Sequence, residues 1–188
     1  MKIALVAEAG GGKDFLAEHL ISCYGFTRYA FADEVRKIAA LYFQKQFGDT
    51  QNKNRSLLQA IGTKFREIDE DVWVNALMLK IRKEIELRRH NNYSMGLFVV
   101  TDCRMPNEYQ ALADEGFIFI RIRTNKEVRL KRLNDRGDRF TENDLKHPTE
   151  SFISQFQCHY ELQNNNSKDA AIAALDVIMA DIRSRIFK

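Results

Sequence analysis

Proline, cysteine and long apolar runs are all scarce in this chain. Two prolines in 188 residues, with 45% hydrophobic and 29% charged side chains, describe one compact domain long enough to bury a core, with no low-complexity tract, internal repeat or second-domain boundary. The three cysteines, Cys23, Cys103 and Cys158, are odd in number, scattered and without CxxC spacing. Neither a disulfide framework nor a zinc site is indicated, and reduced thiols are expected. No apolar run approaches the roughly 18 to 20 residues that cross a bilayer. The opening "MKIALVAEAGGGK" runs into a glycine loop rather than a signal-peptide cleavage site, so a cytoplasmic protein without membrane association is expected. A net charge of +3 is too small to predict stable nucleic-acid binding, although local basic clusters could still meet phosphates. His19, His90, His147 and His159 are not spaced like metal ligands, and no Ser–His–Asp or Cys–His arrangement can be read.

What the chain does have is alternation. "KIALVA" is a short apolar run followed by glycines, and "DFLAEHLISCYG" carries helical spacing with Gly25 as its stop. "TRYAFA" predicts a second strand, and "DEVRKIAALYFQKQFG" a helix opened by Asp33 and ended near Gly48. After the polar connection "GDTQNKNRS" come a helix over "SLLQAIGTKFREI", interrupted by Gly62, and a longer one from about Asp71 to His90 with Trp73, Leu77, Ile81 and Ile85 on one stripe. "GLFVVTD" predicts a buried strand, and Pro106 suits the first turn of the helix after it. "FIFIRIRT" is a strand, "NKEVRLKRLNDRG" a helix, "DRFTENDLKHPTE" a polar loop and "HYELQNN" a short strand. The closing helix should turn Ala171, Leu175, Ile178 and Ile182 to the core. Strands alternating with helices predict an α/β protein: three layers, α/β/α, around a parallel sheet of about five strands. Ligands of such sheets gather beyond the carboxyl ends of the strands.

The loop after the first strand spells A-E-A-G-G-G-K-D where the phosphate-loop pattern is G-x-x-x-x-G-K-[ST]. Gly10, Gly11 and Gly12 can turn consecutive N–H groups inward around a phosphate without a glycine at Ala7. Lys13 would reach the β and γ phosphates at the amino end of a helix. Asp14, in the hydroxyl position, is repelled by phosphate unless Mg²⁺ lies between, which it could hold directly or through water. The plainer alternative is a glycine-rich turn with a helix-capping Asp. "LFVVTDCR" has the form of a Walker-B strand ending in Asp102, a second candidate Mg²⁺ ligand, with Arg104 at the same edge able to take a phosphate bidentately. Arg129, Arg132 and Arg136 share one helical face, and Arg139 follows. Solvated charge is the default for such a face; arginines on a mobile lid could instead neutralise a phosphoryl group in transfer. Arg36, Lys37 and Arg66 are further cations on helices expected to flank an acceptor.

Four pieces, "GGGKDFLAEHL", "YAFADEVRK", "VVTDCRMPNEYQAL" with "FIRIRTNKEVRLKRL", and "HPTE", occur in this order across nearly the whole chain. Together they resemble the phage-type deoxynucleoside monophosphate kinases, P-loop enzymes similar in fold to adenylate kinase and dephospho-coenzyme A kinase. The Gly-Lys-Asp spelling looks like that family's own version of the loop, while Ala7 departs from its usual glycine. The resemblance implies one kinase domain over 1–188, with a helical acceptor-binding segment at about 32–92 and a lid at about 125–150. Its cofactors would be ATP and Mg²⁺ and its acceptor a deoxynucleoside monophosphate. It further implies that Gly10, Gly11, Gly12, Lys13, Asp14, Phe15 and Arg129 bind ATP, and that Asp14 and Asp102 hold the metal. Lys13, Asp102 and Arg132 would be catalytic, while Asp33, Arg36, Arg66, Arg104 and Glu150 would bind the acceptor. "LQNNN" would lie near the donor adenine. A homodimer is compatible with these features, and the location would be host cytoplasm for a phage-encoded chain. Animal-type phosphomevalonate kinases also spell the loop Gly-Lys-Asp; "FADEVRK" and "RMPNE" favour the nucleotide kinase. Dephospho-coenzyme A kinase usually keeps a hydroxyl after the lysine. A non-catalytic nucleotide-binding module is the reading from another class.

Overall fold

The computed structural model describes residues 1–47, 54–94, 96–135 and 148–186. They fall into two compact units, Met1–Arg28 with Leu97–Lys188, and Tyr29–Gly96.

The first unit is built on a five-stranded parallel sheet of order β2-β3-β1-β4-β5, formed by β1 (Lys2–Val6), β2 (Thr27–Tyr29), β3 (Phe98–Val100), β4 (Ile118–Arg123) and β5 (Tyr160–Gln163). Period-two alternation sends Ile3, Leu5, Val99, Ile120, Ile122 and Leu162 to one face. There they join Leu16 and Leu20 of helix α1 (Lys13–Tyr24) and Ala171, Leu175, Met179 and Ile182 of the last helix (Lys168–Ile186) in one buried cluster. The expected stripe on that last helix holds except that Met179 is buried and Ile178 only half-buried, because Leu175 and Met179 stand one turn apart. On the other face, buried Phe119 meets Tyr109 of the helix Pro106–Asp114 with ring centroids 4.5 Å apart, and Tyr109 stacks on Phe156 at 4.7 Å. Helices on both faces of the sheet make three layers. Gly25 ends α1 as expected: at φ 74° its N–H reaches Ile21 O at 3.1 Å, and the next N–H, of Phe26, reaches Leu20 O at 3.2 Å.

Two polar clusters fasten this unit. Asp176 accepts from His19 Nε2 and from the Tyr24 hydroxyl, both at 2.7 Å, and the Arg183 guanidinium lies 4.7 Å over the Tyr24 ring. Burial, reinforced by the Asp176 hydrogen bond, pushes the Tyr24 hydroxyl up to about 12. Burial works to raise the Asp176 carboxyl, but the hydrogen bonds from His19 and Tyr24 outweigh it and hold it below its ordinary value. On the opposite face Arg121, 8% exposed in the middle of β4, pairs with Glu161 at 3.1 Å and donates to Ile153 O at 3.3 Å and to Phe156 O. These carbonyls belong to the end of a helix over Pro148–Gln155, where a cation is favourable. That helix starts inside the stretch expected to be a polar loop, with Pro148 at a first-turn position that needs no N–H.

The second unit is helical: α2 (Ala32–Tyr42), α3 (Gln44–Phe47), α4 (Arg55–Ile68) and α5 (Val72–His90). The single helix expected from Asp33 to Gly48 breaks at Phe43, whose backbone leaves the helical region at φ −123° and ψ 40°. Asp33 lies in the first turn of α2, one residue after its start. Gly62 does not interrupt α4; the Trp73 indole donates to its carbonyl at 3.0 Å. Trp73, Leu77 and Ile81 form the buried stripe of α5, with Ile85 half-buried. In order after these come α6 (Pro106–Asp114), α7 (Lys126–Asp135), α8 (Pro148–Gln155) and α9 (Lys168–Ile186) of the first unit.

Candidate functional site

After β1 the chain moves to the β2–β3 side of the sheet, and after β3 it crosses to β4. The loop at the carboxyl end of central β1 therefore occupies the switch point where α/β sheets collect ligands. Ala7 is 4% exposed, and no non-glycine residue but Asn92 has positive φ among the described residues, so Ala7 keeps an ordinary backbone. Its methyl is tolerated because position 11 has no side chain: a Cβ on Gly11 would lie 3.0 Å from the Ala7 Cβ and 2.9 Å from Glu8 O. The Gly11 N–H closes the loop on Glu8 O at 3.0 Å. Gly10 and Gly12 take φ of 78° and 90°, a conformation that glycine enters without strain. Gly12 then begins α1 with no capping side chain, so the first-turn N–H groups face the loop without one. Lys13 Nζ pairs with Asp14 Oδ1 at 2.8 Å, with the carboxylate largely in solvent, an arrangement that an incoming anion can displace at little cost.

The loops after β4 and β5 close over this one. Thr124 Oγ1 and Asn164 Nδ2 both donate to Gly11 O, at 3.1 and 2.9 Å. Asn164, 3% exposed, accepts from Arg132 Nη2 at 3.3 Å, and its own N–H holds Arg123 O at 2.8 Å. Arg129 Nη1 donates to Ala9 O at 3.3 Å while Nη2 lies 3.3 Å from the Glu8 carboxylate. Two buried nitrogens here, Arg129 Nε and Arg132 Nη1, have no hydrogen-bond partner among the described residues. Arg132 Nη1 would be only 3.5 Å from a Cβ on Gly12. A loop packed so closely that three successive positions admit only glycine, a lysine at its helix end and an unsatisfied buried guanidinium nitrogen beside it fit a polyphosphate.

At the end of β3 the strand stops at Val100, two residues short of Asp102. Ala4 pairs with Val100, and continuing the parallel register puts the Asp102 backbone abreast of Val6. Buried Glu108 reaches back from the first turn of α6 to accept from the N–H groups of Arg104 and Met105, at 2.8 and 3.1 Å, which fixes the loop bearing Asp102 and Arg104. Burial, with the Glu108 and Asp102 carboxylates adding, raises the Cys103 thiol well above its ordinary value, so it is unreactive. No cluster of three or more His, Cys, Asp or Glu side chains suited to a metal occurs among the described residues. Mg²⁺ at nucleotide sites takes one or two carboxylates and completes its shell from phosphates and water, so Asp14 and Asp102 remain chemically adequate donors.

In the second unit, Arg36 pairs with Asp33 at 3.2 Å on the first turns of α2. Half-buried Arg66 lies back along α4: its Nη1 would be 3.5 Å from a Cβ on Gly62. Lys37 pairs with Glu34 at 2.7 Å. The structure thus brings Gly10, Gly11, Gly12, Arg129 and Arg132 together around one loop, with Lys13, Asp14 and Phe15 opening the helix behind it, and pairs Asp33 with Arg36. Arg136 and Arg139 lie outside the described residues, as does the side chain of Glu150 in the first turn of α8. Glu8, Thr124 and Glu108 were not anticipated as parts of the site. Asn164, expected near a donor adenine, sits against the phosphate loop itself. Thr124 and Asn164 do carry a signal, since each directly follows a strand at its carboxyl end.

No protein-family model matches the chain, and comparison with curated proteins finds no match. Solved structures do match over nearly its whole length. It is similar to a shikimate kinase from Acinetobacter baumannii (17% identity, 100% of this chain and 95% of that one, TM-score 0.58). It is also similar to a dephospho-CoA kinase from Campylobacter jejuni (20%, 97% and 98%, TM-score 0.52) and a gluconokinase from Sinorhizobium meliloti (12%, 99% and 95%, TM-score 0.54). These likenesses show the fold, a three-layer α/β/α architecture shared with P-loop kinases.

Proposed function

We propose that this chain is a P-loop phosphotransferase that moves the γ-phosphoryl group of ATP onto the phosphate of a nucleoside monophosphate, with deoxynucleotides as the preferred acceptors. The observation that carries the phosphate-binding part is the buried Arg132 Nη1, without a partner among the described residues, beside a loop of three glycines at the amino end of α1. The acceptor assignment rests on the sequence pieces "FADEVRK" and "RMPNE". That the structural neighbours include a shikimate kinase, a gluconokinase and a dephospho-CoA kinase supports phosphoryl transfer to a small molecule as the reaction class.

In this reading the N–H groups of Gly10, Gly12, Lys13, Asp14 and Phe15 hold the donor phosphates, while Gly11, its N–H bonded to Glu8 O, shapes the loop around them. Lys13 exchanges Asp14 for the β and γ oxygens, and Arg132 meets the charge that spreads over the equatorial oxygens during transfer. Mg²⁺, held by Asp14 and Asp102 when bound, supplies further neutralisation of that charge. Arg129, tied to Glu8 and Ala9 O, fastens α7 to the loop and keeps Arg132 within reach. Arg36, Arg66 and Arg104 are assigned to the acceptor phosphate and Asp33 and Glu150 to the rest of the acceptor, and positioning of this kind supplies much of the barrier reduction without a covalent nucleophile. A cytoplasmic location goes with these substrates; no helix of the described residues is long and apolar enough to cross a membrane.

The test is ADP release from Mg-ATP across dGMP, dTMP, dCMP, dAMP, their ribose forms, phosphomevalonate, dephospho-CoA, shikimate and gluconate. Turnover with deoxynucleotides is expected. Turnover with one of the other acceptors alone would keep the loop chemistry and replace the acceptor assignment; silence across the panel despite ATP binding would make the protein a nucleotide-binding module.

A further inference from the structure

We propose that Asn164 is a positioning residue that couples the phosphate loop to Arg132, setting where that guanidinium points; this rests on the nucleotide-binding reading above. The Asn164 amide has one orientation that suits both neighbours: its NH₂ faces a carbonyl that can only accept, and its oxygen faces a guanidinium that can only donate. Nδ2 donates to Gly11 O at 2.9 Å and Oδ1 takes Arg132 Nη2 at 3.3 Å, so one planar group fixes both the loop and the arginine. Rotating that amide would break both bonds together. The packing is tight enough to exclude alternatives, because a Cβ on Gly12 would collide with Nδ2. With Nη2 engaged, the other terminal nitrogen of Arg132 is left without a partner among the described residues, and it is the Arg132 atom that approaches Gly12. Asn164 thus occupies one end of the guanidinium so that the other is presented to the anion.

Thr124 provides the internal control. Its hydroxyl donates to the same Gly11 carbonyl at 3.1 Å. No hydrogen bond joins it to Arg132 among the described residues. A merely structural role for Asn164, stapling the end of β5 to the loop, would make the two residues equivalent. A positioning role makes only Asn164 depend on Arg132.

The experiment is a double-mutant cycle on the affinity for Mg-AMPPNP, measured by titration calorimetry without acceptor. Asn164→Ala and Arg132→Ala should each weaken binding about tenfold, as expected for a lost bond to a charged group. Combined, they should weaken it no more than about tenfold, because the second change removes an interaction already lost. Thr124→Val combined with Arg132→Ala should show independent, multiplying effects. Asn164→Leu keeps the side-chain volume should the Ala variant not fold. It makes neither the bond to Gly11 O nor the bond to Arg132 and should weaken binding to a similar degree. Multiplying losses in the Asn164 and Arg132 pair, or unchanged affinity in a folded Asn164 variant, would overturn the positioning role. Failure of the unsubstituted protein to bind Mg-AMPPNP would instead remove the nucleotide reading itself, and the positioning role with it.

Discussion

The two units handle apolar surface in opposite ways. Of nine exposed large apolar side chains among the described residues, eight lie in Tyr29–Gly96, including Tyr42 at 73%, Ile68 at 86% and Leu87 at 58%; the first unit exposes Val177. Their polar contacts differ in the same sense. The phosphate loop is tied by bonds between residues far apart in the chain, Asn164 to Gly11 across 153 positions and Arg129 to Ala9 across 120. Most ion pairs of the helical unit join residues three or four apart, Arg36 with Asp33, Lys37 with Glu34, Lys64 with Glu67 and Arg88 with Glu84, with Lys80 and Glu34 at 3.9 Å linking α5 to α2. Such near-neighbour pairs stabilise a helix by only about 0.2–0.5 kcal/mol each. The contrast teaches a division of labour. The charges that the proposed transfer would need preorganised sit at the cross-linked carboxyl end of the sheet, and the region proposed to bind the acceptor is built from helices with weaker individual restraints.

The largest expected effect sharpens the first half of that contrast. Lys13→Ala should lower the catalytic rate by about a hundredfold or more while leaving the melting temperature unchanged, since it removes a transition-state contact from a loop rather than a core group; unchanged turnover would discard the phosphate-loop mechanism. Packing comes next. Leu20→Ala, at a position with 0% exposure, should cost about 2–5 kcal/mol in denaturant unfolding. Ile68→Ala, at 86% exposure, should stay within about 0.5 kcal/mol, and similar losses at both sites would break the comparison. Arg66→Ala should raise the KM for the acceptor about tenfold and leave that for ATP nearly unchanged, the size of one lost charge-assisted bond. Equal effects on both substrates would move Arg66 out of the acceptor role. The smallest effect concerns acid stability. The Asp176 carboxyl, held low, contributes stability that is present above its ordinary value of 3.8 and is lost as pH falls through its folded value. Asp176→Asn should therefore lower stability at neutral pH and flatten its decline below about pH 4, followed by thermal melts at several pH values.

The architecture was legible because its signals are local. β1 reads from an apolar run stopped by glycines, the end of α1 from Gly25, the start of α6 from Pro106, and the layers from strict alternation of strand and helix. The misread elements depended on partners elsewhere. Gly62 reads as a breaker until Trp73 is seen bonded to its carbonyl. Phe43 carries no breaking signal, yet α2 ends there. The "HPTE" stretch reads as polar loop, while the cation that stabilises the end of its helix lies on β4. In the site, the lysine, the glycines and the arginine spacing on α7 are visible because the phosphate-loop pattern and the helical period are short-range. Asn164 is not: one asparagine in a polar run looks the same whether solvated or buried, and only the parallel placement of β5 beside β4 turns it toward Gly11. Glu108 reads as an ordinary helix-start acid, and its tie to the Asp102 loop emerges once both its acceptor bonds are seen.

Arg121 shows what it means to put a permanent charge in a sheet. A guanidinium does not shed its proton at any working pH, so this group cannot escape burial by neutralising, as a lysine can. Its surroundings, the Glu161 carboxylate and the two carbonyls at the end of α8, therefore form a set whose members have little independent value. Loss of the acid leaves a buried cation uncompensated, and loss of the cation leaves the end of α8 without its donor. Inheritance is constrained accordingly: the set can be kept whole or exchanged whole for an apolar one, while each single step between the two is unfavourable.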